Sequence, residues 1–184
     1  RRAVEYNYFD ADGQIITFSL LHAAAANRQL EMARMLLKQG ASVDLRDSLG
    51  GTALMAAAKS QHGHPSIVLL LLQHSANPDV QDNYGYTALM LAASLGQEAC
   101  VQALLRAGAN TELLDEDYGA RFTALQWAEA KGHTATAKLL RQHASCLSLG
   151  LGVALCAVVP LAWPWVVLSV VLGAIATVAF SRTL

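Results

Sequence analysis

The chain repeats itself. SLLHAAA (Ser19 to Ala25), TALMAAA (Thr52 to Ala58), TALMLAA (Thr87 to Ala93) and TALQWAE (Thr123 to Glu129) align on the leucines Leu21, Leu54, Leu89 and Leu125, which recur at intervals of 33, 35 and 36 residues. Behind each segment comes a second apolar stretch that ends in a leucine pair: Leu36-Leu37, Leu71-Leu72, Leu104-Leu105 and Leu139-Leu140. A period of this length signifies stacked supersecondary units rather than a single layered core. Each unit offers two short helices with an alanine-rich face, and neither helix can bury its apolar side alone. Stability has to come from neighbouring units.

Thr-x-Leu-x-x-Ala, then Gly-His, then Leu-Leu-x-x-Gly-Ala stand here in the order of the ankyrin repeat, and over roughly Gly13 to Ala144 the chain resembles that family. The resemblance implies an all-α ankyrin-repeat solenoid of about four helix-turn-helix repeats carrying β-hairpin fingers. Thr52, Thr87 and Thr123 are placed to cap the first helix of their repeats, and Gly40 and Gly108 suit the left-handed residue that ends the second. Ser75 and His143 stand where that closing glycine is expected, which predicts turns that are strained or differently closed. The proline of the family's Thr-Pro-Leu-His signature is absent throughout, being Leu20, Ala53, Ala88 and Ala124, and only His22 keeps the histidine. Two extra residues lie in KSQHGHPS (Lys59 to Ser66), and the finger before the fourth repeat is lengthened in DEDYGARF (Asp115 to Phe122). Insertions in solenoids fall in loops, where function concentrates.

Charge divides the chain into two compartments. Between Arg141 and Arg182 there is no Asp, Glu, Lys or Arg, although the protein as a whole is 15% charged. The run from Cys146 to Phe180 would reach about 50 Å as one helix, against a hydrocarbon core of about 30 Å. Two arrangements fit: a single membrane span from about Leu161 to Phe180, or two short helices turning at Pro160 and Pro164. Lys138 and Arg141 before the run and Arg182 after it favour the hairpin, which keeps all three on the cytosolic side. Trp163 and Trp165 are then interface-seeking residues. The resulting division is 1–12 as an N-terminal remnant, 13–144 as the repeat domain facing the cytosol, and 145–181 as a segment in membrane lipid. The opening Arg1-Arg2 in place of Met points to a truncated start. A second reading therefore stands beside the first: the N-terminal part of a polytopic membrane protein such as an ankyrin-bearing palmitoyltransferase or ion channel. The Asp-His-His-Cys motif of the former is absent here.

The residues that carry chemistry elsewhere have structural explanations in this pattern. A net charge of −1 with no Lys/Arg stripe excludes a nucleic-acid footprint. Three cysteines without metal-ligand spacing suit a reducing compartment. No phosphate loop, GxSxG elbow or Cys/His signature occurs, so neither an enzyme nor a cofactor is expected. His62 and His64 form a His-x-His pair, but Gly63-His64 repeats the motif of Gly132-His133 and a metal would want three or four ligands, so no metal is expected either. His22 is expected to hydrogen-bond within the stack, and Asp115, Glu116 and Asp117 are read as a solvated finger tip. The remaining surface is aromatic: Tyr84, Tyr86, Tyr118 and Phe122 on the fingers, with Leu91 and Trp127 behind them. Tyr and Trp are over-represented among residues that carry interface energy. The competing reading is that Trp127 packs on the adjoining repeat while the tyrosines brace the turns. The expected function is a membrane-anchored scaffold that binds another protein through its repeats.

Overall fold

The computed structural model describes residues 5–9, 15–60, 63–116 and 121–148, with side chains between 19 and 144. Two antiparallel strands come first, β1 (Glu5–Phe9) and β2 (Ile15–Ser19), in the register Glu5 to Ser19 and Phe9 to Ile15. Eight helices follow among the described residues: α1 (Leu20–Ala26), α2 (Leu30–Lys38), α3 (Ala53–Lys59), α4 (Pro65–Gln73), α5 (Ala88–Ser94), α6 (Glu98–Arg106), α7 (Ala124–Ala130) and α8 (Thr134–Ser148). The odd-numbered helices stack on one another in sequence, α1 on α3, α3 on α5 and α5 on α7. Of the even-numbered ones, α2 packs on α4 and α4 on α6.

The first helices begin where a threonine supplies an acceptor for an unpaired backbone N–H. Thr52 Oγ1 accepts from Met55 N, Thr87 Oγ1 from Met90 N, and Thr123 Oγ1 from Gln126 N; Gln126 Oε1 returns the bond by accepting from Thr123 N at 2.8 Å. Ser19 holds the same place in the first repeat but bonds His22 Nδ1 at 2.8 Å instead. His22 Nε2 lies 3.1 Å from the carbonyl of Gly51 in the next repeat. A carbonyl only accepts, so Nε2 carries the proton and Ser19 Oγ donates to Nδ1. The expected role of His22 inside the stack is therefore met.

Alanines make the stacking close. Ala24, Ala57, Ala92 and Ala128 hold the same position in successive first helices and all are buried. A donor just before α4, α6 and α8 then ties each to the end of the first helix of the preceding repeat. His64 Nε2 donates to Ala26 O at 3.3 Å, Gln97 Nε2 to Ser60 O, and His133 Nε2 to Ser94 O at 3.0 Å. His64 thus has a structural partner; His62 lies outside the described residues.

Two expectations need correction. The fingers between repeats contain tight turns, and no strand is formed in them among the described residues. Each is closed by a few bonds around an aspartate, such as Asp47 N to Gly51 O at 2.8 Å and Asp82 N to Tyr86 O at 3.0 Å, too few for a ladder. Neighbouring fingers join instead through bonds such as Asn83 N to Leu49 O and Glu116 N to Tyr84 O, both 2.9 Å. The second concerns the turns without the closing glycine: at Ser75 the expected strain is met, with the closing bonds unchanged, and at His143 it is not. Ser75 has a φ of +64°, beside +84° and +83° at Gly40 and Gly108, and it makes the same pair of closing bonds, Ser75 N to Leu72 O and Ala76 N to Leu71 O. At His143 there is no closure, because α8 runs on to Ser148.

By contacts the chain divides into Arg1–Ala144 and Ser145–Leu184. Residues 149–184 lie outside the described residues, and with them the sequence-predicted membrane segment 145–181 except its first four residues, which end α8, and both Trp163 and Trp165. Among the described residues no helix is long and apolar enough to cross a membrane.

Ser75 holds a left-handed conformation that costs a residue with a Cβ about 1–2 kcal/mol. Ser75→Gly is expected to raise stability by about 0.5–1 kcal/mol once the greater freedom of the unfolded glycine chain is subtracted. A urea titration of both proteins checks the direction.

Candidate protein-binding groove

An aspartate precedes each capping threonine and organises the turn between them. Asp47 Oδ1 accepts from Leu49 N and Gly51 N at 2.9 and 2.7 Å. Asp82 Oδ1 accepts from Tyr84 N and Tyr86 N, both at 2.9 Å. In the fourth repeat Asp115 Oδ1 accepts from Phe122 N at 2.7 Å, across the lengthened loop. Loop-to-loop bonds hold these turns in line: Arg46 donates to Gln81 O at 2.6 Å, and Gln81 Nε2 donates to Leu114 O at 2.9 Å. The fingers are thereby joined to one another along the stack.

Between the fingers and the first helices runs a groove of about 650 Å³. Its finger wall carries Asp47, Asp82, Tyr84 and Tyr86, and its helix floor Met55, Ala56, Leu91 and Trp127. Ala56, Leu91 and Trp127 are the fourth residues of α3, α5 and α7, so one helical position sets the floor in all three repeats. Lys59 at the end of α3 and Lys131 just after α7 also line the groove.

Four of the six sequence-predicted partner-binding residues therefore meet in one place: Tyr84, Tyr86, Leu91 and Trp127. Tyr84 is 49% exposed and is the most open of them. Tyr86 is half-buried, its ring centroid 5.7 Å from that of Trp127. Phe122 does not line the groove; it packs on Trp127 at 5.4 Å between centroids. Tyr118 lies outside the described residues. The two sequence readings of this cluster thus divide by residue. Trp127 does pack within the stack, carrying Lys131 Nζ over its ring at 5.6 Å, while one side of it still lines the groove.

The acidic run is where the sequence reading fails. Asp115 was expected in a solvated tip with Glu116 and Asp117, yet it is fully buried, and its Oδ2 accepts from Trp127 Nε1 at 2.7 Å. A buried indole N–H needs an acceptor, and Asp115 supplies it. Glu116 is exposed and Asp117 lies outside the described residues. Sequence reasoning also passed over Asp47 and Asp82 as members of the site. Their signal was present, since each stands five residues before its capping threonine.

Asp82 is electrostatically unlike an ordinary surface carboxylate. Burial pushes its pKa above the usual 3.8, opposed by the backbone donors of Tyr86 and Tyr84 and by Lys59, and Asp47 adds repulsion. Among the described residues there is no group of three His, Cys, Asp or Glu side chains arranged to hold a metal.

The family model described as ankyrin repeats (3 copies) matches residues 21–115 and again 60–149. Among curated proteins the chain is similar to ankyrin repeat domain-containing protein 63 of Homo sapiens, 42% identical over 101 residues, and to its Mus musculus counterpart, 41% identical over 101 residues. Each alignment covers 54% of this chain but only 26% and 25% of those relatives, so the matched part is about a quarter of their length.

A raised carboxyl pKa means that the folded protein holds a proton over a range where the unfolded chain has released it. The contribution of Asp82 to stability is therefore full below the ordinary value of 3.8 and is lost as pH rises through the folded pKa. Asp82→Asn should keep the turn, since Asn77 and Asn110 accept the corresponding i+2 bonds from Asp79 N and Glu112 N in this same chain. The variant is expected to gain on the wild type as pH is raised from acid to neutral and to be at least as stable at pH 7. Thermal melts of both across that range check it, and a wild type that gains on the variant would refute it.

Proposed function

The chain belongs to the ankyrin-repeat family, and on that premise we propose that it is a protein-binding scaffold whose groove between fingers and first helices receives the partner. Ankyrin repeats are a protein-interaction module, and that much holds for this chain by membership. One observation carries the finer reading: Tyr84, Tyr86, Leu91 and Trp127, drawn from two repeats, converge on a single groove beside an exposed tyrosine edge. An amphipathic tyrosine wall over an apolar floor is the composition of an interface centre. We propose further that the uncharged run from Cys146 to Phe180 holds the scaffold at a membrane with its repeats in the cytosol. The support for this lies in the sequence, in the absence of charge between Arg141 and Arg182 and the basic residues at both ends.

Partners are first identified by proximity labelling with the wild-type chain. Tyr84→Ala combined with Leu91→Ala should then weaken capture of the groove-bound partner by at least about 2 kcal/mol, or roughly thirtyfold. Because Tyr84 is largely exposed and Leu91 only half-buried, the melting temperature should move far less than on truncating the buried Leu89. Undiminished capture of every labelled partner by the double variant would place the binding surface elsewhere.

The membrane proposal has its own test. The full chain should stay with membranes through alkaline carbonate extraction, and a chain ending at Arg141 should not. Release of the full chain into the supernatant would overturn the tether and leave the groove untouched.

A further inference from the structure

Asp47, Asp82 and Asp115 occupy one structural position in three consecutive repeats, and the third shows what the position can bind. Asp115 uses one oxygen to hold its turn and the other to accept the indole N–H of Trp127. Trp127 is the fourth residue of α7; its equivalents in α5 and α3 are Leu91 and Ala56, which have no donor to offer. Asp82 Oδ1 is engaged by Tyr84 N and Tyr86 N, and no described residue donates to its Oδ2. The fold thus repeats the acceptor in the groove without repeating the donor.

We infer that the groove recognises a peptide segment carrying an arginine or lysine, whose charged N–H group takes at Asp82 the place that the Trp127 indole takes at Asp115, with an adjoining apolar side chain on Leu91 and Trp127. This rests on the groove being the binding site, and it adds the chemistry of the occupant. The donor is cationic because the acceptor is charged and not alone: Asp47 stands on the same wall and its field reaches Asp82. The protein's own cations do not fill the position. Among the described residues the ion pairs are Arg34 with Glu31 and Arg141 with Glu129, so Lys59 attracts Asp82 without bonding it, and Lys131 is placed over the ring of Trp127. Nor does the turn need the charge, because asparagines accept the same kind of bond at Asn77 and Asn110. Burial of Asp82 works against its ionised form, so a carboxylate here is a cost to the folded chain that a bound cation removes. Tyr84 and Tyr86 beside it offer aromatic faces that also favour a cation.

A phage-displayed library of random linear peptides, panned on the full chain in mild detergent, supplies the probes. Selected peptides should carry Arg or Lys next to an apolar residue. Asp82→Asn should weaken them at least about tenfold, as expected for loss of a charge-assisted bond. Replacing the peptide's basic residue by norleucine should weaken binding to the wild type similarly and add little further loss in Asp82→Asn, the signature of a direct pair. Leu91→Arg reports on the groove itself. Peptides that Leu91→Arg rejects but that lack a basic residue, or that bind Asp82→Asn as well as wild type, would overturn the inference and leave the groove standing. Selected peptides indifferent to Leu91→Arg would overturn both.

Discussion

Everything in the described part of this protein depends on short helices being held by their neighbours. α1, α3, α5 and α7 are seven residues long, and isolated helices below about twelve residues are marginal in water. What keeps them is contact between alanine faces, with Ala24, Ala57, Ala92 and Ala128 buried at one recurring position. Alanine has no side-chain entropy to lose and lets backbones approach closely. Close approach then brings His64, Gln97 and His133 within bonding reach of carbonyls at the ends of α1, α3 and α5. Those carbonyls are among the ones a helix cannot satisfy itself. Apolar and polar terms thus act across the same junctions, and in a linear stack each junction supports only the repeats that flank it.

The groove is a consequence of that regularity. Because the fourth residues of α3, α5 and α7 line it, one position of the repeat sets the side chain that the floor presents, Ala56, Leu91 or Trp127, each also packed against the core. The fingers supply the other wall, held by donations such as Arg46 to Gln81 O and Gln81 to Leu114 O. These bonds run from repeat to repeat and so tie the wall together along the stack. A preformed wall loses little freedom when a partner binds.

The same aspartate serves different ends in different repeats. In each it closes the turn, and in the fourth its second oxygen is absorbed by Trp127, which fills the groove at that point. In the third repeat the leucine that replaces the tryptophan leaves the groove open and the carboxylate half-buried, where charge is least welcome to the fold. Stability and recognition pull in opposite directions at Asp82, as they commonly do at functional positions.

Much of this was legible in the chain itself. The repeat period, the capping threonines at 52, 87 and 123, the left-handed glycines at 40 and 108 and the role of His22 all follow from local chemistry repeated in phase, which is why the sequence by itself determined the architecture. The aromatic cluster was also visible, though not its division, because position along the chain does not say which face of a ring is covered. Only the tertiary structure decided that Phe122 packs on Trp127 while Tyr84 stays open, and that Asp115 is buried under an indole rather than solvated. The physical reason is the same in each case. Capping and turn closure are settled within a few residues of backbone, whereas burial of a finger side chain depends on which helix side chain folds back against it, as Trp127 does on Phe122 and Asp115.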